Sequence, residues 1–183
     1  MRYLLILTVT IATCFATEAQ TSTQTRAGTA ANHNDQPFLR EAVQGNLAEI
    51  QLGQLAQKNG SSPAVKQFGE RMVTDHTNLL EQARSVASEK GITVPVRPSA
   101  KQQATYRSLE AKTGSAFDKA YITDMINDHT HDIAAFQQEA NSASDPDMRS
   151  LASKAIPIMQ EHLRLAENAA RQLGIPATPS GGL

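Results

Sequence analysis

The chain has 183 residues, enough for one ordinary domain and too few for two large ones. Its 17 basic and 18 acidic residues leave a formal charge of -1, so it carries no bulk electrostatic footprint for nucleic acid or an anionic membrane surface. With 40% hydrophobic residues, 4% aromatics, no tryptophan and one cysteine, the composition favours helices over a β-sandwich and excludes both a disulfide framework and a thiolate metal centre.

Met1-Arg2 is a short positive start, and Tyr3 to Ala12 is a nearly unbroken apolar run that fits a signal-peptide core but is too short for a bilayer span. Residues 1–16 therefore predict a secretory signal cleaved after Ala16, with cleavage after Ala19 as the second option, and a mature chain in the periplasm or exterior. Ile11-Ala12-Thr13-Cys14 also resembles a lipoprotein box, which would make Cys14 a lipid anchor, although Thr13 stands where Gly, Ala or Ser is usual. No later stretch is long and apolar enough to be transmembrane. Residues 17–34 are Thr, Ser, Gln, Ala and Asn without apolar period and predict a disordered tether.

The folded region then spans 35–174, ahead of a Gly/Pro-rich tail at 175–183. Breakers at Gly60-Ser61-Ser62-Pro63, Gly91 to Pro98, Gly114-Ser115 and Ser144-Asp145-Pro146 divide it into four long helices at about 36–59, 63–90, 115–142 and 146–173. Asp35, Ser62, Ser99, Ser115 and Asp145 are the expected N-caps, Pro63 and Pro146 occupy first helical positions, and Gly60, Gly91 and Gly174 are expected stops. The outer pairs are joined by short turns and should be antiparallel hairpins. The middle connection, with a short extra helix near 100–112, is long enough to cross the bundle and set the second and third long helices parallel. This predicts an all-α, ferritin-like four-helix bundle; an up-down-up-down bundle is the alternative.

Polar residues interrupt each apolar stripe near its midpoint. The second helix carries Val65, Phe68, Met72, His76, Leu79, Ala83 and Val86 at spacings of three and four, which turns His76 inward. His129 takes the same place among Ile122, Met125, Ile133 and Phe136, and His162 among Ile158, Leu165 and Ala169. On the first helix Glu49 falls inside the apolar face, with Asn46 one turn earlier. Glu49, His76, His129 and His162 therefore form a candidate metal set at one depth, because neutral imidazoles with a carboxylate suit Zn, Cu, Mn or Fe. Binding by ordinary histidines would weaken below about pH 6.5. Met72, Met125 and Met159 lie one turn from the histidines on the same faces; they are additional candidates for a soft ion, or core filler. The bland reading of the whole layer is a buried hydrogen-bond network. Asp75, Asp128 and Glu161 each precede a histidine and point about 100° away from it, so each is placed to hold a histidine of a neighbouring helix or to form a solvated edge. Gly45, Gly53 and Gly69 are expected to permit close helix contact, His131 to face solvent, and Pro157 to disturb the last helix.

Phe38 with Ala42, Glu49-Ile50-Gln51-Leu52-Gly53, Met72-Val73-Thr74-Asp75-His76, Phe117-Asp118 with Tyr121, Met125-Ile126-Asn127-Asp128-His129 and Glu161-His162-Leu163 resemble the bacterial family of predicted outer-membrane proteins called domain of unknown function 4142 (DUF4142). The resemblance spans about 36–174 and implies a ferritin-like bundle in an exported protein, periplasmic or associated with the outer membrane, with no reaction attached. A di-iron carboxylate site needs Glu three residues before each of two histidines; here Val73, Ile126 and Met159 stand there, which argues against ferritin-type iron oxidation. No serine or cysteine is set against a base, and no glycine-rich phosphate loop is present. The functional reading is a non-enzymatic exported bundle that binds a transition metal at its Glu/His layer. The alternatives are a structural or stress-protective module without metal and, last, a metal-dependent oxidoreductase.

Overall fold

The computed structural model describes residues 35–176; the expected signal, the tether, the Cys14 anchor and nearly all of the tail lie outside the described residues. Five helices follow one another: α1 (Asp35–Asn59), α2 (Pro63–Glu89), α3 (Ala100–Glu110), α4 (Gly114–Ser142) and α5 (Pro146–Gln172). Among the described residues there is no strand, and no helix is long and apolar enough to cross a membrane.

The helix ends follow local chemistry. Asp145 accepts from the backbone N–H groups of Asp147 and Met148, and Ser99 forms a reciprocal capping box with Gln102. Three expected caps differ: Asp35 is already the first residue of α1, and its carboxylate accepts from Ser144 Oγ and Asp145 N. Ser62 stands at the N-cap position but makes no side-chain cap; Asp118 of α4 instead fixes the turn ahead of the helix, its carboxylate accepting from Ser61 N, Ser61 Oγ and Ser62 N at 3.0, 2.5 and 2.9 Å. The third long helix starts at Gly114 with Thr113 outside it, so Ser115 is already helical. At the C-terminal ends Gly91 and Gly174 adopt φ of 65° and 64°, and the next residue donates back to the preceding turn, Ile92 to Ala87 O and Ile175 to Ala170 O. Ile175, expected in the tail, thus finishes the α5 stop and packs on the core. Pro157 is exposed inside an α5 whose helical assignment is continuous through it.

Packing gives the topology. One apolar cluster joins the end of α1 (Leu52, Leu55, Ala56), the starts of α2 (Val65, Phe68, Met72) and α4 (Phe117, Tyr121, Ile122, Met125), and the end of α5 (Ala166, Ala169, Ala170). A second joins the start of α1 (Leu39, Val43), the end of α2 (Leu80, Ala83, Ala87) and the start of α5 (Met148, Leu151). Helices α2 and α4 therefore run parallel, and α3 returns the chain along the bundle between them, the ferritin-like connectivity expected from the long middle connection. The hairpins α1–α2 and α4–α5 make the most extensive contacts, whereas α1 and α4 meet sparsely. Gly53 and Gly69 explain the first hairpin: a Cβ on either would lie 2.7 Å from the other's carbonyl oxygen, so only glycine permits this approach. Gly45 differs, since a Cβ there meets nothing within 4 Å; it lines the opening between α1 and α4.

Candidate metal centre

The apolar periodicity that builds the core also brings the three histidine helices to one level. His76 on α2, His129 on α4 and His162 on α5 are 5%, 2% and 0% exposed, and their ring centroids form a nearly equilateral triangle with sides of 5.8, 5.2 and 5.4 Å. One nitrogen from each lies within 4.8 Å of the others.

Each ring's remaining nitrogen is held by a different group, and these holds determine the tautomers. Asn46 donates its amide to Ala42 O at 2.7 Å, which turns its Oδ1 toward His76 Nδ1 at 2.9 Å and makes that nitrogen the N–H. His129 Nδ1 donates to Met125 O, an acceptor only, at 3.0 Å. His162 Nε2 donates to Asp75 Oδ2 at 2.8 Å, and Asp75 is in turn paired with Arg71. Three lone pairs are left facing inward: His76 Nε2, His129 Nε2 and His162 Nδ1. The last two are 3.3 Å apart, and His76 Nε2 has no hydrogen-bond partner among the described residues.

Electrostatics keep the rings neutral. Burial, and then the neighbouring rings His129 and His162, hold His76 well below the ordinary histidine range. Burial and His162 lower His129 to about 4. Burial lowers His162 too, against the opposing pull of Asp75. Burial works to raise Asp75, but hydrogen bonds from Arg71 and His162 outweigh it and hold the carboxyl below its usual range, so it remains an anionic acceptor.

Glu49 does not complete this triangle. It groups instead with Asp128 and His129, so the expected four-residue layer is two overlapping triads that share His129. Glu49 is 3% exposed and its Oε2 has no hydrogen-bond partner among the described residues; burial, then Asp128, Asp132 and Asp124, raise its carboxyl well above the usual range. The sparse α1–α4 contact leaves a cleft of about 610 Å³ lined by Glu41, Glu49, Asp124, Asp128 and Asp132, with Lys101 of α3 at its edge. Burial and Asp128 raise Asp124 to about 6 and Asp132 to about 7, while Lys101 pulls both down. Tyr121 OH is also buried without a partner among the described residues, and burial, then Glu49 and Asp124, raise it.

Of the three acids that precede the histidines, Asp75 reaches a histidine on another helix, Asp128 faces Glu49, and Glu161 pairs with Arg164. His131 is exposed, as expected. Met72 and Met125 are packed in the first apolar cluster and Met159 in a smaller one with Leu79 and Ala155. Sequence reasoning noticed Asn46 without assigning it a partner, and it missed Asp124 and Asp132. Their signal is present as a four-residue spacing with Asp128, but the same spacing describes a solvated helix face.

A family described as domain of unknown function (DUF4142) matches residues 20–169. Compared with curated proteins and with solved structures, the chain has no significant match in either.

Proposed function

This chain belongs to the DUF4142 family, and from the geometry of its core we propose that it is an exported helical-bundle protein that binds a transition metal ion through His76, His129 and His162. The observation that carries this reading is the convergence of three buried lone pairs whose tautomers are imposed from behind by Asn46, Met125 O and Asp75. Neutral rings in these tautomers have no hydrogen to place between His129 Nε2 and His162 Nδ1. A cation satisfies both nitrogens. Their 3.3 Å separation is also the spacing of two nitrogens around one tetrahedral zinc, about 3.3 Å for bonds of about 2.05 Å. Three imidazoles suit Zn or Cu first and Fe or Mn after them, and outward hydrogen bonds of this kind are what orient histidine ligands in metal sites. The methionines act as core filler in this reading. Export to the periplasm rests on the features of residues 1–19 alone, and lipidation at Cys14 is the alternative fate of that segment.

One observation favours a second reading. A continuous hydrogen-bond path runs Arg71–Asp75–His162–His129–Met125 O, as in a structural polar network. That network needs one extra proton between His129 and His162, and so a buried imidazolium. Calorimetric titration of Zn and Cu into chelator-treated wild-type and His76→Ala protein near neutral pH separates the two. The metal reading expects saturable binding by the wild type, a loss in the variant and a rise in thermal stability with metal. Absence of saturable binding, or equal binding by both proteins, removes it in favour of the network.

A further inference from the structure

The geometry points to a second cation site beside the three histidines, where Glu49 and Asp128, which line the α1–α4 cleft, together with the buried His129 take a divalent ion of harder character such as Mn²⁺ or Fe²⁺. Oxygens of the two carboxylates and a ring nitrogen of His129 lie within 4.8 Å of one another, the reach of ligands around one ion. An acidic cluster alone would be only a solvated face, but Glu49 is an inward member: it is 3% exposed, it lines the cleft, and its Oε2 finds no hydrogen-bond donor among the described residues. A buried carboxyl oxygen without a donor is costly unless a proton or a cation meets it, and a cation can reach it through the cleft.

The surroundings fit a cation that arrives from solvent. Asp124, Asp128 and Asp132 fall at four-residue intervals along one stripe of α4 and face Glu41 and Glu49 of α1 across the opening, with Lys101 the cation beside them. The cleft is wide because the glycine contact that closes α1 onto α2 has no counterpart toward α4: Gly45 meets nothing within 4 Å where Gly53 and Gly69 meet each other's backbone. Two carboxylates and one imidazole make a harder donor set than three imidazoles, so the two sites prefer different ions. The two sites share the one free lone pair of His129, whose Nδ1 is committed to the Met125 carbonyl, so one ion at a time is held there; each is read separately in metal-free protein, and either reading can fail without the other.

The test uses chelator-treated full-length chain at about pH 7.5, with free Mn²⁺ followed by its electron paramagnetic resonance signal and Zn²⁺ by calorimetry. Wild type should bind Mn²⁺ saturably. Glu49→Gln and Asp128→Asn, which keep shape and replace one carboxyl ligand each by a neutral amide, should weaken Mn²⁺ by about tenfold or more and leave Zn²⁺ binding in place. Glu81→Gln, which removes an equal charge from an exposed position on α2, should bind Mn²⁺ as wild type does. His76→Ala should retain Mn²⁺ whether or not it loses Zn²⁺, so failure of the histidine reading shows only in the zinc arm. The second site is overturned by lack of saturable Mn²⁺ binding, by wild-type affinity in both Glu49→Gln and Asp128→Asn, by an equal loss in Glu81→Gln, or by loss of Mn²⁺ in His76→Ala. Circular dichroism confirms that each variant is folded, and the two carboxylate variants check each other.

Discussion

Replacing Asp132 by Asn should stabilise the metal-free protein in alkali and do little in acid. Burial, and then the charges of Asp128 and Glu41, raise the Asp132 carboxyl from 3.8 to about 7. Below about pH 4 both folded and unfolded chains hold this proton, and the group costs nothing. Between about 4 and 7 the unfolded chain has released it while the folded chain retains it, so stability falls as pH rises through that window, and above about 7 the full penalty applies. A difference of about 3 pH units corresponds to about 4 kcal/mol. Asp132 is half-buried and lines the open cleft, and solvent screening reduces the figure to about 2 kcal/mol. Asn keeps the shape and does not ionise. Asp132→Asn should therefore raise Tm by about 4–8 °C at pH 8 and by less than about 2 °C at pH 4. Differential scanning calorimetry of both proteins in chelator across this range reads the effect, and comparison at each pH cancels the histidines, which are common to both. Saturating divalent cation should shrink the gain by supplying the missing positive charge. An equal Tm for the two proteins at pH 8, or a gain that grows toward acid, would refute the reasoning.

Other expectations follow from single contacts. Asp75→Asn removes the anionic acceptor that holds the His162 tautomer, so Zn²⁺ affinity should fall about 10- to 100-fold while metal-free stability changes by about 1 kcal/mol or less; unchanged calorimetric affinity would remove Asp75 from its positioning role. Because burial holds all three rings below the ordinary range, with His129 at about 4, protons compete with metal later than for ordinary histidines. Zn²⁺ affinity should begin to fall at a lower pH than it does for an exposed three-histidine site, and a steep loss beginning at about 6.5 would contradict the burial argument. Gly53→Ala places a Cβ 2.7 Å from the Gly69 carbonyl, a backbone atom that cannot swing aside, so it should destabilise by about 1–3 kcal/mol in urea titration, whereas Gly45→Ala should be neutral or slightly stabilising.

Much of the fold was legible because its determinants are local. Pro63, Pro146 and the turn glycines Gly91 and Gly174 act within one helical turn, and the three- and four-residue apolar spacing turns His76, His129 and His162 inward whatever helix lies opposite. Even the parallel α2 and α4 follow from the length of the connection that must pass between them. The site's chemistry was not legible in that way. Which nitrogen of each histidine faces its neighbours depends on Asn46 from α1, on the Met125 carbonyl and on Asp75 reaching from α2 to α5, and two of those three contacts join residues at least 30 positions apart. The four-residue spacing of Asp124, Asp128 and Asp132 describes an exposed stripe and a cleft wall equally well, until the gap between α1 and α4 decides between them. Glu49 was correctly placed inside and near His129, but its grouping with Asp128 and apart from the triangle with His76 and His162 was not foreseen, because helical periodicity specifies the face a side chain takes and only the distances between packed helices specify what it meets.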